Sequence, residues 1–333
     1  MHRTIRSIIT LVIILGVLST GVLWADAPTS VFVTPTSTQD NITIGWVGDM
    51  VPSDDEQYNE TVFMNVAREL EKPDLMIANL EGTFASPDRP DKCVYIPTMC
   101  HAFRGDQSFA YALEQAGIDF VSLVNNHSYD YMQGGLADTE TVLDTAGIPY
   151  IAPDKPSTSI EIKGKRIGIL GLSSTEPAST ITDYDFIQNQ VAKLKATNDF
   201  VIVIFHGGAE GSDKTAVTGQ EEYMGTEDRG NVQRVAYTAV DAGADLVLGS
   251  GPHVLRKIEV YNGAPIAYSL GNFIGGKRLV MTGNLALSGI FTATLEANTP
   301  TTYDFKSVLL SRDGVPSIDT FEQGKYLVEQ LSK

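Results

Sequence analysis

Basic residues are scarce in this sequence of 333 residues, which has 24 Lys and Arg against 41 Asp and Glu and a formal net charge of -17. An acidic field of this size argues against nonspecific binding to nucleic acid and against docking on anionic lipid. It does not exclude an anionic substrate, because a bound divalent cation can reverse the sign of the charge within a site. The hydrophobic fraction of 43% is ample for a globular core.

The sequence has a single long apolar run, over residues 7–24, preceded by Arg3 and Arg6. We interpret residues 1–27 as a signal peptide or, because the run approaches the ~18 apolar residues of a spanning helix, as a retained signal anchor. In either case we expect the rest of the chain to be extracytoplasmic, either secreted or anchored to the cytoplasmic membrane. Residues 28–40 are rich in Ser, Thr and Pro, which predicts an extended spacer.

Cysteine is limited to Cys93 and Cys100. In an exported chain we favour a local disulfide between them, with two free thiols as the second interpretation. A zinc site that joins both to His101 is less well supported, because structural zinc takes four ligands and no fourth is close in sequence.

Two common catalytic motifs are absent. No phosphate-cradling P-loop is present, and "GLSST" around Ser173 lacks the second glycine of a G-x-S-x-G nucleophile elbow. A glycosidase-type carboxylate pair, Glu81 with Glu210, stays open but leaves the histidines of the chain without a role.

From residue 41 onward, short apolar runs alternate with amphipathic segments, which predicts a single α/β domain over 41–312. The periodicity predicts helices over 61–72, 108–117, 135–147, 185–197 and 231–243. Hairpins are expected between 158–164 and 165–173 and around a turn at Asn262 and Gly263. We assign residues 313–333 to a C-terminal tail.

Polar residues with coordinating or proton-transferring side chains follow the apolar strands. Because the carboxyl ends of strands in α/β sheets form ligand crevices, we expect five such places to converge. They are Gly48 and Asp49; Asn79 and Glu81; Asn125, Asn126 and His127; His206 and Glu210; and Ser250 and His253.

The distribution of histidine favours a metal site at that crevice. Three of the five histidines, His127, His206 and His253, each follow an apolar strand. Neutral imidazole suits zinc, iron and manganese, while Asp, Glu and Asn supply oxygen ligands. Taken singly, each position has a plainer interpretation: Asp49 as a turn former and Asn125 with Asn126 as a turn. As a set they predict one or two divalent cations.

A resemblance to the CapA family of bacterial capsule-synthesis proteins rests on six motifs in order: "GWVGDM", "ANLEG", "SLVNNHSYDYMQGGL", "FHGGAE", "GADLVLGSGPHVL" and "PIAYSLGNFI". The family is linked to poly-γ-glutamate capsules and is related to the calcineurin-like metallophosphoesterases. The resemblance covers roughly two thirds of the chain. It implies an α/β fold in the form of a layered, metallophosphatase-like sandwich with mixed sheets.

The resemblance also implies roles for individual residues. His127 would protonate a leaving group, and in our own interpretation Asp130, three residues later, would orient the His127 ring. The implied metal ligands are Asp49, Glu81, Asn126, His206 and His253. Residues implied around them, or facing substrate, are Asn79, Asn125, Glu210, Ser250 and Asn272.

Three positions depart from the family pattern. Ser250 and Gly207 replace a histidine and an aromatic residue that relatives commonly carry, and Val51 stands where metallophosphatases have a histidine two residues after the first Asp. Fewer nitrogen ligands favour a single-cation site or a weak one.

Two functions therefore compete. One is a metal-dependent hydrolase that acts in assembly or export of an anionic capsule polymer or its precursor, beside the capsule-synthesis machinery of the membrane. The other is a non-catalytic accessory that holds polymer in the same crevice; a degenerate fold with a structural cation is the third alternative. Arg104 could meet an anionic substrate, although a loop arginine is usually just solvated.

Overall fold

The computed structural model of the protein describes residues 41–55, 58, 60–94, 100–175 and 181–333. The predicted export segment, 1–27, and the spacer, 28–40, lie outside these residues. Within the part that is described, no helix has the length and apolar character needed to cross a membrane.

Sixteen strands and six α-helices make up the described chain. The strands are β1 (Ile42–Met50), β2 (Leu75–Leu80), β3 (Phe120–Ser122), β4 (Tyr150–Ile151), β5 (Ser157–Ile162), β6 (Lys165–Ser173), β7 (Phe200–His206), β8 (Glu222–Met224), β9 (Glu227–Gly230), β10 (Leu246–Ser250), β11 (Ile258–Tyr261), β12 (Ala264–Ala267), β13 (Asn272–Ile274), β14 (Leu287–Leu295), β15 (Thr302–Leu310) and β16 (Pro316–Ile318). The helices are α1 (Ala67–Leu70), α2 (Ser108–Gln115), α3 (Met132–Ala146), α4 (Tyr184–Lys195), α5 (Val232–Asp241) and α6 (Gln323–Leu331).

The strands form two mixed sheets and a separate hairpin. The first sheet has the order β16-β15-β14-β1-β2-β3-β4, with β13 also paired to β1. The second has the order β11-β12-β10-β7-β6-β5, and β8 pairs with β9. Strands β1 to β4 are mutually parallel, as are β6, β7, β10 and β12, while the outer pairs are antiparallel. The predicted α/β class with mixed sheets is confirmed.

The two sheets pack face to face, and helices cover their outer faces. Along β2, Ile77 points into the core between the sheets, whereas its neighbours Met76 and Ala78 pack on the outer side with α2 and α3. Along β7, Ile202 and its alternates face inward and Val203 packs outward against α4 and α5. Strands that are buried on both faces need continuous apolar runs, and the sequence supplies them.

Both predicted hairpins are present. Strands β5 and β6 pair antiparallel, and β11 and β12 join through Asn262 and Gly263, which have φ values of 48° and 88°. Positive φ at both central residues is what an Asn-Gly two-residue turn provides. The helices that were expected to close at Gly117 and Gly147 do end there, with left-handed φ at both glycines.

The helix predicted over residues 61–72 is shorter than expected. A 3-10 turn, Glu60–Phe63, precedes the four-residue helix α1. Thr61, Val62, Asn65 and Val66 are weak helix formers, and burial of Val62 and Val66 does not require a regular helix.

Residues 313–333, assigned from sequence to a tail, contain β16 and α6. Strand β16 extends the first sheet by pairing with β15, and Val328 of α6 is buried in the core between the sheets.

Candidate metal centre

The carboxyl ends of the central strands of both sheets meet at one place. In the first sheet, Asp49 of β1 pairs in register with Asn79 of β2. In the second sheet, His206 of β7 pairs with Ser250 of β10. Parallel strands bring their carboxyl ends to the same edge, so each strand delivers its last polar residue to a shared crevice.

Close backbone packing at Gly48 allows the crevice to form. A Cβ atom at Gly48 would lie 1.9 Å from the backbone oxygen of Gly271, so only glycine fits. This approach lets the backbone N–H of Asp49 donate to the oxygen of Gly271, at 3.0 Å, and puts Asn272 in register with Asp49. The "GD" pair therefore aligns two loops of the site.

Glu81 lies at the centre of three imidazoles. Its Oε1 atom is 3.6 Å from Nε2 of His206, 3.7 Å from Nε2 of His253 and 3.9 Å from Nε2 of His127. Glu81 is fully buried, and neither carboxylate oxygen has a hydrogen-bond partner. A buried carboxylate without donors is costly unless a positive charge neutralises it.

Asp49 completes a compact donor set. One oxygen each of Asp49 and Glu81 and one nitrogen of His253 all lie within 4.8 Å of one another. The Asp49 carboxylate accepts from Asn79 Nδ2 at 2.7 Å and from the Gly251 backbone N–H at 3.2 Å. These donors hold Asp49 without filling all of its lone pairs.

The amides of Asn79 and Asn125 form a buried chain. Asn125 Nδ2 donates to Asn79 Oδ1 at 3.0 Å and to the Leu80 oxygen at 2.8 Å. The Asn125 Oδ1 atom accepts from the backbone N–H of His127 at 3.0 Å. Asn125 thus fixes the position of His127 relative to β2, and Asn79 carries the constraint on to Asp49.

Ser250 determines which nitrogen of His206 is free. The Ser250 hydroxyl lies 3.3 Å from the Phe205 oxygen, to which it donates, and 3.0 Å from His206 Nδ1. We assign the His206 proton to Nδ1, from which it donates to the Ser250 hydroxyl; Asn79 Nδ2 lies 3.3 Å from the same nitrogen and donates to Asp49. The lone pair of His206 Nε2 then faces Glu81, and that buried atom has no hydrogen-bond partner. Ser250 acts as an orienting partner rather than as a nitrogen ligand.

His253 is held in an unusual backbone conformation. Its φ of 60° is left-handed, which is costly for a residue other than glycine. The Nδ1 atom lies 2.9 Å from Asn272 Oδ1 and 3.2 Å from Asp49 Oδ2, and Asn272 Nδ2 donates back to the His253 oxygen at 3.2 Å. These contacts turn Nε2 toward Glu81.

His127 differs from the other two imidazoles. Its Nδ1 atom is 2.7 Å from Asp130 Oδ2, and its ring lies against Phe103 with the ring centroids 4.3 Å apart. Because a carboxylate can only accept hydrogen bonds, the Nδ1–H group of His127 donates to Asp130. The Nε2 atom of His127 therefore faces the crevice.

The remaining predicted residues take different positions. Glu210 joins the cluster, with Oε2 3.8 Å from His253 Nε2. The Asn126 Oδ1 atom is buried without a hydrogen-bond partner. Arg104 contacts Asp54, the Pro87 oxygen and the Tyr131 ring instead, so its described contacts are outside the cluster.

Sequence reasoning missed Arg229, which is fully buried beside the crevice. Its guanidinium lies 3.0 Å from Glu210 Oε1 and 3.3 Å from Glu227, and Nε donates to the Gly208 oxygen at 3.1 Å. The only signal in the sequence was a charged residue within the polar stretch "EDRG", three positions before α5, and such a residue is ordinarily solvated.

Arg229 also accounts for one departure from the family pattern. A Cβ atom at Gly207 would lie 2.3 Å from Ile181 Cδ1 and 2.8 Å from the Arg229 backbone oxygen. Strand β9 and Ile181 therefore occupy the space into which an aromatic side chain at position 207 would extend.

Electrostatics keep protons on the metal-free cluster. Burial raises the pKa of Glu81 well above its usual value, and the nearby charges of Asp49 and Glu210 add to the rise. Burial alone would lower the pKa of His253, but Glu81 and Asp49 raise it to about 10. For Asp49 itself the effect of burial is outweighed by His253 and His206, so its pKa is lowered.

Burial acts in the opposite direction on the other two imidazoles. It lowers the pKa of His206 well below the usual value, although the charge of Asp49 opposes this. It also lowers the pKa of His127, against the attraction of Asp130. His206 is therefore neutral at neutral pH, which is the form that binds metals.

The donor set fits a divalent cation. Unpartnered buried atoms of Glu81, His206 and Asn126 are the kind of orphans that a cation satisfies. Mixed imidazole and carboxylate ligands suit manganese, iron or zinc.

Comparison with known proteins agrees with these features. A model of the family described as "Bacterial capsule synthesis protein PGA_cap" matches residues 41–277. The chain belongs to this family. The predicted resemblance to CapA-type capsule-synthesis proteins is thereby confirmed.

Relatives within the capsule-synthesis family include two Bacillus proteins. The "Capsule biosynthesis protein CapA" of Bacillus anthracis is 26% identical over 251 residues, covering 68% of this chain and 56% of that protein. The "PGA biosynthesis protein CapA" of Bacillus subtilis (strain 168) is 30% identical over 192 residues, covering 53% and 47%. The chain thus spans about half the length of these curated relatives.

One solved structure with a related fold is a hypothetical protein from Thermus thermophilus. It aligns with a TM-score of 0.51 at 17% identity and covers 80% of this chain and 98% of that chain. At this level of identity the likeness shows the fold alone.

Proposed function

We propose that this member of the capsule-synthesis family is a metallophosphatase-like, metal-dependent hydrolase that acts on an anionic capsule polymer or its precursor. The observation that carries the proposal is Glu81, whose buried and unpartnered carboxylate faces the Nε2 atoms of three histidines. The capsule and PGA biosynthesis named for the Bacillus relatives supplies the class of polymer.

The proposed ligands divide by their surroundings. Asp49 and Glu81 offer carboxylate oxygens, and His206 and His253 offer Nε2 atoms whose Nδ1 partners fix the rings. Asn126 offers its unpartnered Oδ1. A bound manganese, iron or zinc ion would acidify a water molecule and polarise a phosphoryl or acyl oxygen of the substrate.

His127 has the geometry of a proton donor. Its Nδ1–H is committed to Asp130, so only Nε2 can exchange a proton with a group in the crevice. Burial lowers the pKa of His127, so Nε2 carries a proton only below neutral pH, and a proton held there is easily transferred to a leaving group. We assign His127 the role of general acid.

Arg229 and Glu210 form the wall of the crevice beside His253. Arg229 neutralises part of the carboxylate charge there, since Glu210 lies 3.0 Å from the guanidinium. An anionic substrate group would otherwise meet Asp49, Glu81 and Glu210 together.

A second function, a non-catalytic polymer-binding accessory, is favoured by one observation. Ser250 has no side-chain nitrogen where relatives commonly have a histidine, and its hydroxyl is already engaged by His206 Nδ1 and the Phe205 oxygen. Fewer nitrogen ligands suit a cation that bridges polymer carboxylates to an acidic protein. Under either function, we propose that the chain lies outside the cytoplasm beside capsule-synthesis machinery. Mass spectrometry of the mature amino terminus tests whether the chain is cleaved after Ala27 or keeps its first 27 residues as an anchor.

One experiment separates the two functions. The full chain, His127→Ala and the control Glu114→Ala, which changes an exposed residue of α2, are analysed for bound metal and screened for phosphodiesterase and γ-glutamyl hydrolysis. Activity that is lost in His127→Ala with metal retained supports the hydrolase. Stoichiometric metal without hydrolysis of any substrate supports the accessory. Failure to bind manganese, iron or zinc refutes both.

A further inference from the structure

Asp130 is the point at which three parts of the chain meet His127. Its side chain is fully buried. The Oδ2 atom accepts from His127 Nδ1 at 2.7 Å and from the Phe103 backbone N–H at 2.6 Å. The Oδ1 atom lies 2.6 Å from the Lys92 ammonium. The orientation of the imidazole therefore depends on Asp130, and that of Asp130 depends on Lys92 and Phe103.

Lys92 supports the loop that carries His127 at both ends. Its backbone N–H donates to the backbone oxygen of Asp130 at 2.7 Å, and its ammonium donates to the backbone oxygen of Asn126 at 3.3 Å. One lysine thus contacts the residue before His127 and the residue three positions after it. Loss of the ammonium would leave the Oδ1 atom of Asp130 buried without the lysine, and the carboxylate would then be free to turn away from His127.

Phe103 supports the imidazole from the other side. Its ring packs against the His127 ring, and its backbone oxygen accepts from the Thr83 backbone N–H at 3.1 Å and from the Thr83 hydroxyl at 3.2 Å. Thr83 follows Glu81 by two residues. Phe103 therefore holds His127 at a fixed position relative to the carboxylate that its Nε2 faces.

A disulfide joins the two supporting residues. Cys93 directly follows Lys92, Cys100 precedes Phe103 by three residues, and the two cysteines are bonded with their Cα atoms 5.4 Å apart. The bond predicted from the sequence is thereby confirmed. The disulfide therefore links the segment that carries Lys92 to the segment that carries Phe103, and both segments contact Asp130.

We infer that Lys92 and Phe103, linked through the Cys93–Cys100 disulfide, are positioning residues that orient His127 through Asp130. For its consequence in catalysis the inference rests on the proposed hydrolase function. The orientation itself does not, because every contact that carries it is present without metal or substrate.

The first test measures orientation directly and needs no activity. An imidazole N–H that donates to a buried carboxylate exchanges slowly with solvent and gives a downfield proton NMR signal. In the full chain, the signal of His127 Nδ1–H is identified by its loss in His127→Ala. In Lys92→Met we expect this proton to exchange at least about tenfold faster, because the local opening that exposes it becomes easier.

Matched variants separate positioning from general destabilisation. Lys92→Arg keeps a cation beside Asp130 and should restore slow exchange, whereas Lys325→Met, which removes a half-buried lysine of α6, should leave the signal unchanged. Joint replacement of Cys93 and Cys100 by serine should also speed exchange. If the serine variant does not fold, Lys92→Met and Lys92→Arg still decide the matter. Unchanged exchange in Lys92→Met overturns the inference.

The second test connects orientation with hydrolysis. A misplaced general acid slows substrates with poor leaving groups more than those with good ones. For an alkyl phosphodiester we expect kcat of Lys92→Met to fall at least about tenfold, part of the 10²–10⁴ that a general acid supplies. For a nitrophenyl ester the fall should be small, with KM nearly unchanged.

The two tests fail in distinguishable ways. Equal loss on both kinds of substrate would show a merely structural lysine and would overturn the inference. Faster exchange in Lys92→Met together with no hydrolysis in the parent chain would uphold the positioning role and refute the proposed hydrolase.

Discussion

Glu81→Gln should abolish metal binding while it leaves the metal-free protein folded, with a free energy of unfolding close to that of the parent. In the parent, Glu81 is fully buried with both oxygens unpartnered, and burial raises its pKa. The neutral glutamine keeps the shape, removes the carboxylate and supplies an amide donor toward His206 Nε2, 3.6 Å from the present oxygen. A buried polar group left unsatisfied costs about 1–3 kcal/mol, and more if charged. The substitution also removes the charge that raises the pKa of His253, and the loss of this attraction opposes the gain, so we expect the free energy of unfolding of the metal-free protein to change by less than about 3 kcal/mol.

Thermal unfolding with and without metal measures both effects. For a domain of this size, 1 kcal/mol corresponds to roughly 2 °C, so the melting temperature of metal-free Glu81→Gln should stay within about 6 °C of that of the parent. Manganese at a hundred times its dissociation constant should add about 2.7 kcal/mol to the parent and almost nothing to the variant. Glu114→Gln, on the exposed side of α2, is the control. It should keep both the melting temperature of the parent and the parent's response to manganese. Stabilisation of Glu81→Gln by manganese to the same extent as the parent would refute the reasoning.

The remaining predictions concern protons, packing and a buried ion pair. Because the pKa of His253 is about 10, metal binding at pH 7 must displace its proton, so apparent affinity should rise about tenfold per pH unit up to roughly pH 9. Calorimetry in buffers of different ionisation enthalpy should detect release of about one proton. In the metal-free protein the raised pKa of His253 contributes stability below pH 6.5 that is lost as pH rises through about 10. Gly207→Ala should destabilise the fold by about 1–3 kcal/mol in chemical unfolding, because its Cβ meets the Arg229 backbone oxygen at 2.8 Å. Arg256→Met should cost about 3–5 kcal/mol, because it removes two of the three hydrogen bonds that the Glu222 carboxylate accepts, those of 2.7 and 2.8 Å from the guanidinium, and leaves only the one from the Ala209 backbone N–H.

Each of these predictions has a contrary outcome. Metal affinity that is independent of pH would contradict the protonated His253. Gly207→Ala with parental stability would mean that Ile181 and β9 give way easily. Arg256→Met should be rescued in part by adding Glu222→Leu; a double variant as unstable as the single one would show that the ion pair is not the cause.

The convergence of strand ends was predictable because it depends on strand direction alone. The apolar runs before Asp49, Glu81 and His206 indicated strands buried on both faces, and parallel neighbours of that kind share one carboxyl edge. The structure brings these residues together; their roles as ligands remain our proposal.

Other parts of the site depend on loops that cross long distances in the sequence. Lys92 reaches Asp130 across 38 positions, and Arg229 reaches Glu210 only because β8 and β9 fold back on the crevice. Neither residue has a local pattern that separates it from a solvated charge. The shortened α1 is a case in which tertiary packing overrides an amphipathic pattern.

The position of β1 has a consequence for the order of folding. This first described strand lies in the middle of its sheet, and one of its edges is completed by β14, about 250 residues later. Until residues 287–295 have been synthesised, that edge presents unpaired N–H and C=O groups along an apolar strand, which is a template for aggregation. Late, nonlocal pairing of this kind also slows folding. We therefore expect this edge of β1 to need protection until β14 has been synthesised.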